Sequence, residues 1–254
     1  MRAVLPIAHL TLREAVRNKV FVNLAVFAAL MVGLALLMTG LTVGQHQRII
    51  HTLSFGTLSV VGNLIAVFLG AGLIANEVER KSLYAIVSRP IGRWTVVVGR
   101  YLGLAWVLAL NTAGGGLLIT LILAMGDQVP SDHFVLGLIL IYLEMLLVLS
   151  ISVLFSSFST PTLSATFSFC FMVIGRMSPE LIDLLPVAGS EGLRSLMRFT
   201  YAVLPNLARL DPMALLLHGS PLPGHLLALI AYALGYTALL LTAACWVFTR
   251  RDLK

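Results

Sequence analysis

Charge is what this sequence has least of. Only 11% of its 254 residues are Asp, Glu, Lys or Arg, against about 25% in a soluble domain. Cysteine is nearly absent: Cys170 and Cys245 both lie in apolar stretches, which excludes a disulfide framework and a thiolate metal site of the usual spacings. No G-x-x-x-x-G-K-[ST] loop occurs, so the chain has no route of that kind to nucleotide hydrolysis. No G-x-S-x-G, H-E-x-x-H or C-x-x-C occurs either. These absences leave no soluble domain able to house an enzyme.

What is present is hydrocarbon. Hydrophobic residues make up 59% of the chain, and the mean hydropathy is +0.97. Uncharged stretches run from Val20 to Gln47, Ile49 to Asn76, Tyr101 to Gly126, Met145 to Gly175 and Pro212 to Thr249. Each exceeds the roughly 20 apolar residues that cross a bilayer as a helix. Thr160-Pro161 splits the fourth between two helices, because the residue before a proline avoids the α region. The fold class expected is therefore an all-α membrane protein with six transmembrane helices, forming one transmembrane domain over 1–254. The spans are expected at Val20–Val43, Phe55–Asn76, Val96–Met125, Phe134–Phe155, Thr162–Arg176 and His225–Thr249. The third is long enough to tilt or to begin in the headgroup layer. The fifth is short, as in a broken or re-entrant helix, whose free backbone ends protein must cover. The apolar stretch behind the basic N-terminus is about twice the length of a signal-peptide core and lacks a small-residue cleavage site, so it reads as a retained first span.

The net charge of +6 does not point to nucleic acid, because the basic residues cluster at span ends. Arg2, Arg13, Arg17, Lys19, Arg80, Lys81, Arg89, Arg93, Arg100, Arg250, Arg251 and Lys254 fall on one side, and Arg48, Arg176, Arg194, Arg198 and Arg209 on the other. The inside-positive bias places both termini in the cytoplasm and the chain in the cell (inner) membrane, with lipid as its solvent. Residues 1–19 carry Val4, Leu5, Ala8, Leu12, Ala15 and Val16 on one helical stripe and His9, Arg13 and Arg17 on another, the pattern of an interfacial helix. The extracytoplasmic connector 177–224 holds prolines at 179, 186, 205, 212, 221 and 223, which forbid one continuous helix. Short amphipathic helices against the outer membrane face are expected there.

Few residues could carry chemistry. His9, His46, His51, His133, His218 and His225 fall near span ends or loops; His46 and His51, with Arg48 between them, read as an exposed turn. Glu77-Val78-Glu79-Arg80 marks the cytoplasmic end of span two, without the neighbouring histidines that a membrane protease of paired carboxylates would need. Glu144 stands apart, since an acidic side chain at mid-span costs about 2.5–3.5 kcal/mol on insertion scales. It is either a structural group, protonated or hydrogen-bonded to a neighbouring helix with Asn63 or Asn111 as partner, or a polar contact on a substrate path or in a helix interface. Gly62, Ala66 and Gly70, then Gly99 and Gly103, then Gly114-Gly115-Gly116 line spans two and three, as close helix packing requires. The triple glycine would serve equally as a flexible point.

The loop between spans two and three, 77–93, contains an apolar helical face of Leu83, Ile86 and Val87 that stops at Pro90, with Arg89 and Arg93 flanking the stop. A short basic helix presented to the cytoplasm suits docking into a groove on another protein. The stretch Glu77 to Leu102 resembles the permease subunits of type-2 ATP-binding-cassette (ABC) exporters. It carries an acidic residue at the end of span two (Glu77), Lys81-Ser82-Leu83, Ser88-Arg89-Pro90-Ile91-Gly92-Arg93, and Gly99-Arg100 opening span three. Leu12 to Lys19, Leu204-Pro205-Asn206-Leu207 and Phe248 to Leu253 are also similar to family segments. Lys81 departs from the family's usual small residue.

The resemblance implies a coupling helix, in which Glu77, Glu79, Lys81, Ser82, Leu83, Ile86, Ser88, Arg89, Pro90 and Arg93 dock a separate ABC ATPase subunit. It further implies that ATP and Mg bind the ATPase rather than this chain, and that two six-span permeases pair, as a homodimer or a heterodimer. The leading expectation is an export permease without catalysis of its own. One alternative is a mechanical transmitter acting on an extracytoplasmic accessory protein. The other is a secondary transporter, disfavoured by one mid-span carboxylate and no internal repeat, or an intramembrane enzyme, disfavoured by the lack of a convergent set of catalytic groups.

Overall fold

A computed structural model describes residues 4–15, 46–79, 93–125, 133–184, 190–212 and 223–250, together with Val26 and Leu30. The described residues are helical, without a strand among them. The helices are α1 (Val4–Ala15), α2 (His46–Glu79), α3 (Arg93–Met125), α4 (Phe134–Ser156), α5 (Pro161–Arg176), α6 (Ser178–Asp183), α7 (Glu191–Val203) and α8 (Pro223–Arg250), with a 3-10 turn at Leu207–Leu210. Four contain stretches long and apolar enough to cross a bilayer: Thr52–Leu73, Trp94–Ala124, Phe134–Ser156 and Leu226–Arg250. The span expected at Val20–Val43 lies outside the described residues, apart from Val26 and Leu30, as do residues 80–92.

Helix α2 corrects one expectation. His46 and His51 do not sit in an exposed turn but in the first turns of a 34-residue helix. No Pro or Gly occurs from residue 45 to residue 55, so nothing in the covalent chain stops the helix where the hydrocarbon ends. Between α4 and α5 the break falls at Ser157–Thr160, with Pro161 at the first turn of α5, where its missing N–H costs nothing. Phe155 closes this corner, its ring 5.7, 5.7 and 4.9 Å from those of Phe158, Phe167 and Phe171. At 16 residues α5 rises about 24 Å, short of the roughly 30 Å hydrocarbon core. A single residue, Met177, then separates it from α6.

The core is built on α4, 15 of whose 23 residues are buried. Helix α2 packs along it so closely that a Cβ on Gly70 would stand 2.5 Å from Ser152 Cβ. Hydroxyls rivet the pair. Ser59 Oγ donates to Glu144 Oε2 (2.8 Å), Ser152 Oγ to the Val67 carbonyl (2.7 Å) and Ser156 Oγ to the Ala71 carbonyl (2.9 Å). All three pairs have the same sequence offset of 85. A constant difference in residue number means that α2 and α4 run parallel and in register. Helix α3 returns between them: Tyr101 donates to the Leu146 carbonyl (3.0 Å) and Tyr142 to the Ala105 carbonyl (3.2 Å), so numbers rise on one helix as they fall on the other. The triple glycine stays helical within α3, and Gly116 admits Leu138 of α4.

Helix α1 packs on α3 at a second close approach. A Cβ on Gly103 would lie 2.7 Å from the Ala8 carbonyl oxygen and 2.7 Å from Thr11 Cβ. Backbone cannot swing aside as a side-chain tip can, so Gly103→Val is expected to lift α1 away. Ala8, now 7% exposed, is the reporter: in an Ala8→Cys background, labelling by a water-soluble maleimide should rise about tenfold with the substitution. Unchanged labelling would mean that the α1–α3 contact adjusts without separating.

Candidate functional site

A carboxylate at the centre of an apolar bundle has to be accounted for by its neighbours. Glu144 is the eleventh residue of α4, about 15 Å from that helix's start, and it is fully buried. Helix α2 brings Ser59 and Asn63, one turn apart on the face turned to α4. Helix α5 runs back along α4, with Ser164 Oγ donating to the Ser152 carbonyl (3.2 Å) near its start. Its last residue, Arg176, therefore arrives at the level of Glu144.

The four side chains make one network around Ser59. Its hydroxyl donates to Glu144 Oε2 at 2.8 Å and accepts from Arg176 Nη2 at 2.9 Å and from Asn63 Nδ2 at 3.3 Å. Arg176 Nη2 also lies 3.6 Å from Glu144 Oε1, an ion pair too long to be a hydrogen bond. Formally the pair is neutral, which is the condition under which charges persist in hydrocarbon. Glu144 is 0% exposed and the Arg176 side chain 27%, so one end of the network reaches the molecular surface. Glu144 Oε1 and Asn63 Oδ1 are buried without a hydrogen-bond partner among the described residues.

Of the residues singled out by sequence, Asn63 joins the Glu144 network, bonded to Ser59. Asn111 is buried on α3, and no hydrogen bond among the described residues joins it to Glu144. Ser59 and Arg176 were not foreseen in this role: Arg176 reads in sequence as the charge that ends span five, and Ser59 as one hydroxyl among many. Glu77 and Glu79 fall in the last turn of α2, and Arg93 is the first residue of α3. Lys81, Ser82, Leu83, Ile86, Ser88, Arg89 and Pro90 lie outside the described residues. The two helix ends that flank them stand side by side. Arg100 Nη1 donates to the Leu73 carbonyl at 3.4 Å; six residues on from Leu73 is Glu79, and seven back from Arg100 is Arg93.

The connector after α5 is largely buried at one end. Leu204, Asn206, Leu207 and Leu210 are each 9% exposed or less. A Cβ on Gly175 would lie 2.9 Å from the Pro205 carbonyl oxygen, and the Asn206 N–H donates to Tyr232 Oη of α8 at 2.7 Å. Arg209 lies 5.7 Å from the Tyr232 ring centre. Non-helical backbone is thus covered by protein on two sides, which the bilayer interior demands. Helix α7 begins with a Ser190 cap, whose hydroxyl accepts from the Leu193 N–H at 3.3 Å.

The described residues contain no group of three or more His, Cys, Asp or Glu placed to hold a metal ion. A family model described as "ABC-2 family transporter protein" matches residues 5–253. No curated protein matches the chain.

Proposed function

Since this chain belongs to the ABC-2 family of transporter proteins, whose members are multi-pass membrane permeases, we propose that it is the permease subunit of an ATP-driven exporter. In this reading six spans carry both termini on the cytoplasmic side of the inner membrane. The segment from Glu77 to Arg93 is the coupling element, and a separate ABC ATPase supplies ATP, Mg and hydrolysis. A second permease copy completes the membrane unit, and an extracytoplasmic accessory protein is a further candidate partner.

The observation that carries this reading is the hairpin formed by the ends of α2 and α3. Tied by Arg100 to Leu73, these ends bring Glu79 and Arg93 out together, so that residues 80–92 bridge two adjacent helix ends at one end of the bundle. A force on that bridge acts on both helices. The alternation of α2, α3 and α4 (parallel, antiparallel, parallel) supports successive crossings of one bilayer.

Co-purification tests the proposal. A detergent-extracted, affinity-tagged chain is expected to bring down an ATPase with nucleotide-hydrolysing activity. Arg89→Glu places a like charge against any acidic groove that receives Arg89, and should reduce recovery of the ATPase at least about tenfold. A chain that purifies alone and moves solute without ATP would reject the reading.

A further inference from the structure

Helix α5 is attached differently from its neighbours. Helices α2 and α4 are joined by three evenly registered hydroxyl bonds and close-packed through Gly70, so they form one rigid pair. Of α5, only Ser164, Ser168, Met172 and Gly175 are buried, while Leu163, Phe167, Phe169 and Ile174 are exposed. The charged group joining α5 to the pair is Arg176, and the next residue but one begins α6.

Two observations show that this contact stops short of a further partner. Arg176 Nη2 is committed to Ser59 Oγ at 2.9 Å and stops 3.6 Å from Glu144 Oε1, and that oxygen is buried without a hydrogen bond. A guanidinium–carboxylate hydrogen bond closes at about 2.7–2.9 Å, so a slide of about 0.8 Å would complete it. Shifts of 1–2 Å between packed helices are a common form of switching. The connector rides on this helix end, since Gly175 lies against Pro205. At the opposite pole of α2, 20 residues or about 30 Å from Ser59, is Glu79 at the start of the proposed coupling segment.

We infer that Arg176 is a positioning residue, the moving half of a two-position latch. Displacement of α2–α4 transfers the guanidinium between Ser59 and Glu144 and carries the buried connector Leu204–Pro212 with it. The latch makes the connector, rather than the spans alone, a part that responds to the state of the ATPase. That transmission rests on the proposed coupling to an ATPase, whereas the hold of Arg176 on the connector does not.

Two measurements separate these. In the permease alone, Arg176→Gln should speed amide hydrogen exchange over residues 190–212 about tenfold, and by more than over α2 and α4. Exchange that stays the same in the connector would overturn the latch whether or not an ATPase binds. In the complex with its co-purified ATPase, a Leu193→Cys reporter in a Cys170→Ser, Cys245→Ser background is labelled with and without vanadate-trapped nucleotide. Leu193 is 43% exposed. The labelling rate should change about fivefold in the parent. Arg176→Gln should erase that change while ATP turnover stays within about twofold, and Arg176→Lys should keep most of it. An equal change in parent and Gln variant overturns the latch while the ATPase coupling stands. Absence of a co-purifying ATPase rejects the coupling and, with it, the transmission, leaving the exchange result to decide the hold. The double variant Glu144→Gln, Arg176→Gln removes both charges together, and serves if the single variant does not fold.

Discussion

Glu144→Ala is expected to lower the unfolding free energy of the detergent-solubilised chain by about 2–4 kcal/mol. Removing one partner of a buried ion pair costs about 3–5 kcal/mol, because it strands the other charge. Here Arg176 is 27% exposed, so water relieves part of its charge and the expectation sits lower in that range. Glu144→Gln keeps an acceptor for the Ser59 hydroxyl and nearly the same volume. Its cost should be about 1 kcal/mol, near the average of about 0.6 kcal/mol for intramembrane hydrogen bonds, with a little added for the lost charge pairing. Thermal unfolding followed by size-exclusion chromatography ranks the variants. The expected order of stability is parent, Gln, Ala. If Ala matched the parent, the network would be an ornament of the fold rather than a part of it.

The second large effect is expected at Gly70. A valine there would bring its Cβ to 2.5 Å from Ser152 Cβ and 3.2 Å from Leu149 Cδ1. The Leu149 tip can turn away, but Ser152 Cβ cannot retreat without moving the backbone of α4. Overpacking of this kind costs about 1–3 kcal/mol, and the Ser152–Val67 and Ser156–Ala71 bonds on either side of the wedge would be lost at about 0.6 kcal/mol each. Gly70→Val should therefore remove about 3 kcal/mol in the same unfolding assay. Gly62→Ala provides the control. The group it meets is the flexible end of Met145, which can re-rotamer, so the loss should stay under about 1.5 kcal/mol. Equal losses at the two positions would mean that α2 and α4 do not meet along this line.

Much of this architecture is written in the spacing of charges. Gaps between ionisable residues delimit the long helices, because any crossing must exclude them, and Pro161 marks the α4–α5 break through its own covalent geometry. Glu144 is visible for the same reason, as a charge where none should be. Its surroundings are not visible. Ser59 is one hydroxyl in an apolar helix, and nothing local distinguishes it from Ser54. Its meaning comes from a residue 85 positions away, once the register of α2 on α4 is known. Arg176 was placed at the end of its span, as the structure has it, but its reach was not foreseen. A charge at a helix end reads as a boundary, yet an arginine's length lets it reach back into the bundle. Asn111 has the right polarity and depth to serve Glu144 but sits on the helix that comes from the other direction. The first nine residues of the 34-residue α2, ahead of Phe55, were hidden because composition reports where lipid ends, whereas only Pro, Gly or a cap reports where a helix ends.

The shared offset of 85 also says where this chain can tolerate changes of length. A residue added to α2 between Ser59 and Ala71 turns everything beyond it by about 100° and strips at least one hydroxyl of its partner. A residue added between Glu79 and Arg93 leaves all three contacts in place. Insertions and deletions should therefore be selected against within residues 59–71 and 144–156 and accepted within residues 80–92. The segment proposed to meet a partner can then be refitted to a new one while the rods proposed to carry its motion stay the same length.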